Sequence, residues 1–215
     1  MLTDYLPVYR IRLRTERLEL RLPDFGDLAA LADQAAAGVH DDDFQPFENA
    51  WTEAEPRTRG RTALLWNLRL IASITPERWC LPFVAVRDGQ VIGKQDLAGR
   101  LYGVTREATT SSWLGRAHHG QGLGTEMRAA VLALLFDGLG ADYALSDSLE
   151  GNAASAAVSR RLGYRPDGID HQVCKGERAT SLRWRLTRED WAAHRRHEVR
   201  IEGLDADARA MLGLE

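Results

Sequence analysis

The chain has 215 residues, 44% hydrophobic and 27% charged, with a formal net charge of −3. That is the size of one domain with room for a short appendage, and the scattered basic residues exclude a polyanion footprint such as a nucleic acid would need. The two cysteines, Cys80 and Cys174, stand in no CxxC or histidine-containing spacing, so neither a disulfide scaffold nor a metal site is expected.

At the N-terminus, MLTDYLPVYRIRLRT lacks the apolar stretch of a secretion signal, so a cytoplasmic protein is expected. RLELRL (17–22) alternates as a strand does. Pro23-Asp24 then opens an Ala/Leu helix to about Ala37, with Asp24 as its N-cap. Residues 38–57 read as an acidic, aromatic loop. A second helix fits 58–74, with Leu64, Leu65, Leu68 and Ile71 on one face.

FVAVRDGQVIG (83–93) is a hairpin turning at Asp88-Gly89, a dipeptide that tolerates positive φ. ATTSSWLG (108–115) is a strand leading into a loop with glycines at 120, 122 and 124. In the helix after it, Leu123, Met127, Ala130, Val131, Leu134 and Leu135 recur at helical spacing until Asp137-Gly138. Within it lies the longest strictly apolar run, AAVLALLF (129–136), far short of the ~20 residues a membrane span needs. YALSDSL (143–149) is the next strand. NAASAAVSRRLG (152–163) is the next helix, with Asn152 as N-cap and Gly163 as stop. VCKGERATSLRWRL (173–186) is a hairpin turning at Lys175-Gly176, and a charged helix (188–198) and a tail follow. This order predicts an α/β protein, a mixed sheet with helices on both faces.

The glycine loop carries the functional signal. Free amides at a helix N-terminus, with the helix dipole behind them, bind anions, and glycines let a phosphate reach the backbone. In Gly120-Gln121-Gly122-Leu123-Gly124-Thr125 the amides are placed to ring a pyrophosphate, with the Thr125 hydroxyl beside them. A ligand-free glycine turn is the plain alternative. A nucleoside-triphosphate loop would need a lysine that is missing. A dinucleotide loop would need G-x-G-x-x-G and an acidic residue closing the next strand, whereas Asp142 stands at that strand's start.

His119-Gly-Gln-Gly-Leu-Gly124 resembles the [QR]-x-x-G-x-[GA] turn of the GNAT superfamily of acyl-CoA-dependent N-acyltransferases, with His119 in place of the usual Gln or Arg. Asn152-x-x-Ser155-x-x-Val158-x-Arg160-Arg161-Leu162-Gly163-Tyr164 is similar to the second motif of the branch containing the ribosomal-protein N-terminal acetyltransferases. TERLELRLPDFGDLAAL (15–31) resembles that branch's opening strand and helix.

The resemblance implies a GNAT domain over 8–190 and a C-terminal extension over 191–215. It also implies a mostly antiparallel sheet of about six to seven strands, splayed between the two central ones. It implies N-acetyl transfer from acetyl-CoA to a primary amine, of a small molecule or a protein N-terminus, without a metal. The pantetheine arm would lie in the splay against the backbone of Ser112, Trp113 and Leu114. The pyrophosphate would lie over His119 to Thr125, with Asn152 and Ser155 also at the cofactor.

Two catalytic positions are less regular. Ser159 stands where many relatives have an acidic tyrosine, and is the candidate proton donor. The place where some relatives carry a glutamate base falls on Ala108. Its neighbour Glu107 would serve only if a bulge turned it, since alternate strand residues face opposite sides. An α-amino group with pKa near 7.8 is ~14% neutral at pH 7 and a lysine below ~0.1%, so a missing base favours a weakly basic amine. Asp41, Asp42, Asp43 and Glu48 could attract such an amine, with Phe44, Phe47 and Trp51 as an apolar wall; a solvated acidic loop is the alternative. A non-catalytic acyl-CoA sensor and a transferase using succinyl or longer acyl groups also fit the motifs. Monomer and homodimer both stay open.

Overall fold

A computed structural model describes residues 1–41 and 44–214. A short helix α1 (Leu2–Tyr5) precedes β1 (Arg12–Arg14), which pairs antiparallel with β2 (Glu19–Arg21). Two helices follow, α2 (Phe25–Ala37) and α3 (Pro56–Ala72), then the hairpin β3 (Arg78–Arg87) and β4 (Gln90–Arg100). A helical turn α4 (Tyr102–Thr105) leads to β5 (Glu107–Leu114) and, past the glycine loop, to α5 (Leu123–Ala133). Next come β6 (Tyr143–Leu149), α6 (Ala153–Arg161) and the hairpin β7 (Arg165–Cys174) and β8 (Glu177–Thr187). The chain closes with α7 (Arg188–His194), β9 (Arg200–Glu202) and α8 (Ala206–Met211).

Among the described residues nine strands form one sheet in the order β7-β8-β6-β5-β4-β3-β2-β1-β9, antiparallel except where β5 meets β6. The count exceeds the expected six to seven because β1 and β9 are three-residue strands, too short to show alternation. Each is held by a neighbour: β9 joins β1 at Leu13↔Ile201.

Local signals behave as the chemistry demands. Asp24 accepts from the Asp27 amide at 2.7 Å and Asp27 returns the bond, a capping box. Asp88-Gly89 and Lys175-Gly176 adopt paired positive φ at their hairpin tips. One helix face differs from expectation. The buried residues of α3 are Gly60, Ala63 and Asn67, while Leu65 is exposed and the other leucines are only half-buried. Small residues there let α2 close in, and a Cβ on Gly60 would lie 2.8 Å from the Ala32 carbonyl.

The main core lies between the sheet and α5, where Met127 and Val131 are buried together with Leu135 of the π-helical turn (Leu134–Gly138) that continues it. On the opposite face α2 and α3 pack over β3 and β4, and Leu31, Val84, Val86 and Val91 form a second cluster with Trp113 against it. No helix among the described residues is long and apolar enough to cross a membrane.

Candidate active site

β5 and β6 run parallel only from Glu107↔Tyr143 to Thr109↔Leu145. Beyond that point the ladder stops and the strands part. Hydroxyls take over at the fork: Thr110 Oγ1 donates to the Leu145 carbonyl at 3.3 Å and Ser146 Oγ to the Thr110 carbonyl at 3.4 Å. This is the expected splay, and it leaves Ser111 to Leu114 on one side and Asp147 to Leu149 on the other with backbone groups facing a gap.

The glycine loop closes the wide end of the gap. Gly120 and Gly122 sit at φ +73° and +76°, a region costly for any residue with a Cβ. The amides of residues 120–124 have no hydrogen-bond partner among the described residues, and α5 begins directly behind them. Backbone donors, the dipole and the open face above Gly120 together suit a pyrophosphate.

Arg17 fixes this loop from the side. Its guanidinium donates to the Gln121 carbonyl at 3.1 Å and, at 2.7 Å, to Glu126, which is 1% exposed. Burial alone would raise the Glu126 carboxyl, but hydrogen bonds from Thr15 and Arg17 outweigh it and hold it below the usual range.

A cleft of about 1060 Å³ runs from the loop through the splay to the α2–α3 face of the sheet. Ser112, Trp113 and Leu114 of β5 line it. So do His119, Gly120, Gly122, Leu123, Gly124 and Thr125 of the loop, and Asn152 and Ser155 of α6. Asn152 also caps α6, accepting from the Ser155 amide at 3.0 Å. Three expected site residues fall outside the lining. Gln121 turns its side chain to Arg87 at 2.7 Å. Ser159 is fully buried, its hydroxyl accepting from Arg128 at 3.0 Å. Glu107 stands before the fork with its carboxylate 3.9 Å from Arg185, and no bulge in β5 turns it toward the cleft.

Arg128 is the residue the sequence reading missed. It projects from α5 to the cleft floor, 4% exposed, and bonds Ser159 and, at 3.4 Å, Ser112. Its Nε has no partner, and no carboxylate lies within ion-pair distance among the described residues. The only signal was a lone arginine in a helix apolar on nearly every side.

The loop between α2 and α3 roofs the far side. His40, Phe47, Trp51 and Trp113 make a chain of ring contacts with centroids 5.5–6.1 Å apart. The β7–β8 hairpin tip anchors the roof, Lys175 reaching Glu53 at 2.5 Å. Asp41 lines the cleft but is paired with Arg116 at 2.7 Å; Asp42 and Asp43 lie outside the described residues. Under the roof Lys94, Asn67 and Asp96 form a buried group, with Nζ 2.9 Å from Asn67 and 2.8 Å from Asp96, and Ser111 donates to the other Asp96 oxygen.

Glu48 of the roof and Asp147 of β6 face each other across the cleft at hydrogen-bond range. Burial raises both carboxyls. The neighbouring Asp147 charge raises Glu48 further, whereas contact with Glu48 and the charge of Arg128 pull Asp147 back. Such a pair holds one proton between two groups more readily than it ionises twice.

Comparison with known proteins agrees with this layout. An acetyltransferase (GNAT) domain profile matches residues 17–165. The fold is similar to that of Mycobacterium smegmatis RimJ in complex with CoA-disulfide, at TM-score 0.70 and 21% identity over 89% of this chain and 98% of that one. It is similar to a GCN5-related N-acetyltransferase from Brucella melitensis, at TM-score 0.68 and 20% identity over 86% and 81%. It is similar to the apo form of RimL, a ribosomal L7/L12 alpha-N-protein acetyltransferase, at TM-score 0.65 and 15% identity over 81% and 94%. With its sheet splayed beside a glycine cradle and the profile covering most of its length, this chain belongs to the GNAT acetyltransferase family.

Proposed function

We propose that the protein transfers an acetyl group from acetyl-CoA to a primary amine. The observation that carries this reading is the juxtaposition of partnerless amides at 120–124 with the β5–β6 fork. The loop would hold the pyrophosphate, and the freed backbone of Ser112 to Leu114 would pair with the pantetheine. From Leu114 to Thr110 the strand spans about 13 Å at ~3.3 Å per residue, so the arm would end near the fork.

The bound donor supplies an activated acyl thioester; the chain's residues supply charge and orientation. Arg128, beside Ser112, places a buried positive charge at the cleft floor, where it would favour departure of sulfur as thiolate. That role replaces the weak proton donor which Ser159 would make. On the acceptor side Asp147 and Glu48 would take the proton from an incoming ammonium. A carboxyl raised toward neutrality is a better base for this than an ordinary one. Trp51, Phe47 and Trp113 would keep water from the reacting atoms.

Calorimetry with CoA tests the cradle, and thiol release from acetyl-CoA over a panel of amines tests the transfer. Tight CoA binding without turnover on any amine would instead favour an acyl-CoA sensor. The unpaired charge of Arg128 also supports a second donor reading, an acyl group ending in a carboxylate such as succinyl. A donor series separates the two by kcat/KM.

A further inference from the structure

The cleft does not end at Asp147. A second groove of about 430 Å³ continues from it across the face of β6, β8 and β7. The cover of α2 and α3 packs on β3 and β4, and among the described residues the roof loop reaches this groove only at Glu48. Among the described residues four carboxyls line it, those of Glu48, Asp147, Asp167 and Asp170, against two guanidinium groups. Both arginines are already engaged. Arg183 bonds the Asp167 carbonyl at 2.8 Å and lies 3.6 Å from Asp170, and Arg185 bonds the Asp167 carboxylate at 3.1 Å. Among the described residues no cation lies within ion-pair distance of Glu48 or Asp147.

An independent observation lies on the groove floor. Ser181 of β8 is 1% exposed, lines the groove, and its hydroxyl has no hydrogen-bond partner among the described residues. It sits opposite Leu149 on one side and Asp170 on the other. Buried hydroxyls normally find a partner, so an orphan beside surplus negative charge marks a place for a donor-bearing ligand.

Resting on the transfer reading above, we propose that this groove is an acceptor subsite for a second cationic group. It would lie roughly 10 Å from the reacting nitrogen, two strand spacings from Asp147 to Asp170. Asp170 and Ser181 receive the distal cation, Ser181 through its oxygen, while Asp147 and Glu48 serve the reacting amine. The class is a flexible dicationic amine. A free polyamine and a peptide whose free N-terminus precedes a lysine or arginine both present that chemistry.

The test compares heptylamine with 1,7-diaminoheptane, whose nitrogens reach that far apart, and with spermidine, and an Ala-Ala peptide with an Ala-Lys peptide, by thiol release from acetyl-CoA. Dicationic acceptors should exceed their monocationic partners by about tenfold in kcat/KM, the worth of one charged hydrogen bond. Asp170→Asn and Ser181→Ala should each bring that ratio toward one. The amine arm and the peptide arm identify the source. Equal rates for both charge classes, with turnover intact, would overturn the subsite and leave the transfer reading standing. Where no amine is acetylated, calorimetry of the CoA complex with the same compounds decides. Selective uptake of dications sustains the subsite, and its absence ends it.

Discussion

Arg128 Nη1 lies 3.0 Å from the hydroxyl of Ser159, the residue that stands in place of the expected acidic tyrosine. A short side chain there leaves room for a guanidinium from the neighbouring helix, and a fixed charge takes over from a transferable proton. Burying such a charge without a carboxylate costs stability, which opposite responses to one substitution will reveal. Arg128→Met should lower kcat about a hundredfold while leaving the melting temperature unchanged or raised. The thiol of bound CoA, followed by thiolate ultraviolet absorbance, should titrate at lower pH in the parent than in the variant. Equal thiol titrations would remove Arg128 from the chemistry.

The features legible in the sequence are those set by local chemistry. Asp88-Gly89, Lys175-Gly176, the Asp24 and Asn152 caps and the glycine loop each depend on residues within a few positions of each other. Other features depend on partners far along the chain. β4 runs through Lys94-Gln95-Asp96 because Asn67 of α3 and Ser111 of β5 satisfy its charges, which no period-2 pattern announces. β9 exists because β1 offers an edge. Glu48 and Asp147 become a pair only when the roof folds over the fork.

Gly122 tests the cradle by backbone strain alone. A Cβ there would approach nothing closer than Arg17 at 3.6 Å, so the penalty of alanine is the positive φ, roughly 1–2 kcal/mol. Gly122→Ala should weaken CoA binding by about 5–30-fold if the loop relaxes and turns its amides away. Gly89→Ala carries similar strain at φ +78° on a hairpin outside the cleft lining. It should lower the melting temperature and leave CoA affinity intact. Calorimetry on both variants reads the difference.

The Arg17–Glu126 contact should tie cofactor affinity to fold stability. Glu126→Gln keeps the shape and loses the charge, with an expected cost of about 1–3 kcal/mol. Because the native carboxyl is held below its usual range, this stabilisation is fully present above the ordinary carboxylate pKa and fades as pH falls through the depressed native value. Denaturant melts should therefore show the largest gap between parent and variant at neutral pH, closing in acid below the ordinary carboxylate range. CoA affinity should weaken in the variant as the Gln121 carbonyl loses its anchored partner.

Asp147 should behave in the opposite sense. Its native carboxyl is raised, chiefly by burial, so the folded state binds its proton more tightly than the unfolded chain does. Its contribution to stability is fully present below the unfolded value near 4 and is lost as pH rises through the raised native value. Asp147→Asn should thus stabilise the protein at pH 7, with the gain vanishing below about pH 4. The same change should cost about 100-fold or more in turnover, since it removes the group that accepts the ammonium proton. In the parent, kcat/KM should rise with pH along an acid limb above the ordinary carboxylate range, and the variant should lack that limb. Melting curves and rate profiles across pH 3–8 check both signs, and a variant that loses stability at pH 7 would show the carboxylate to be structural.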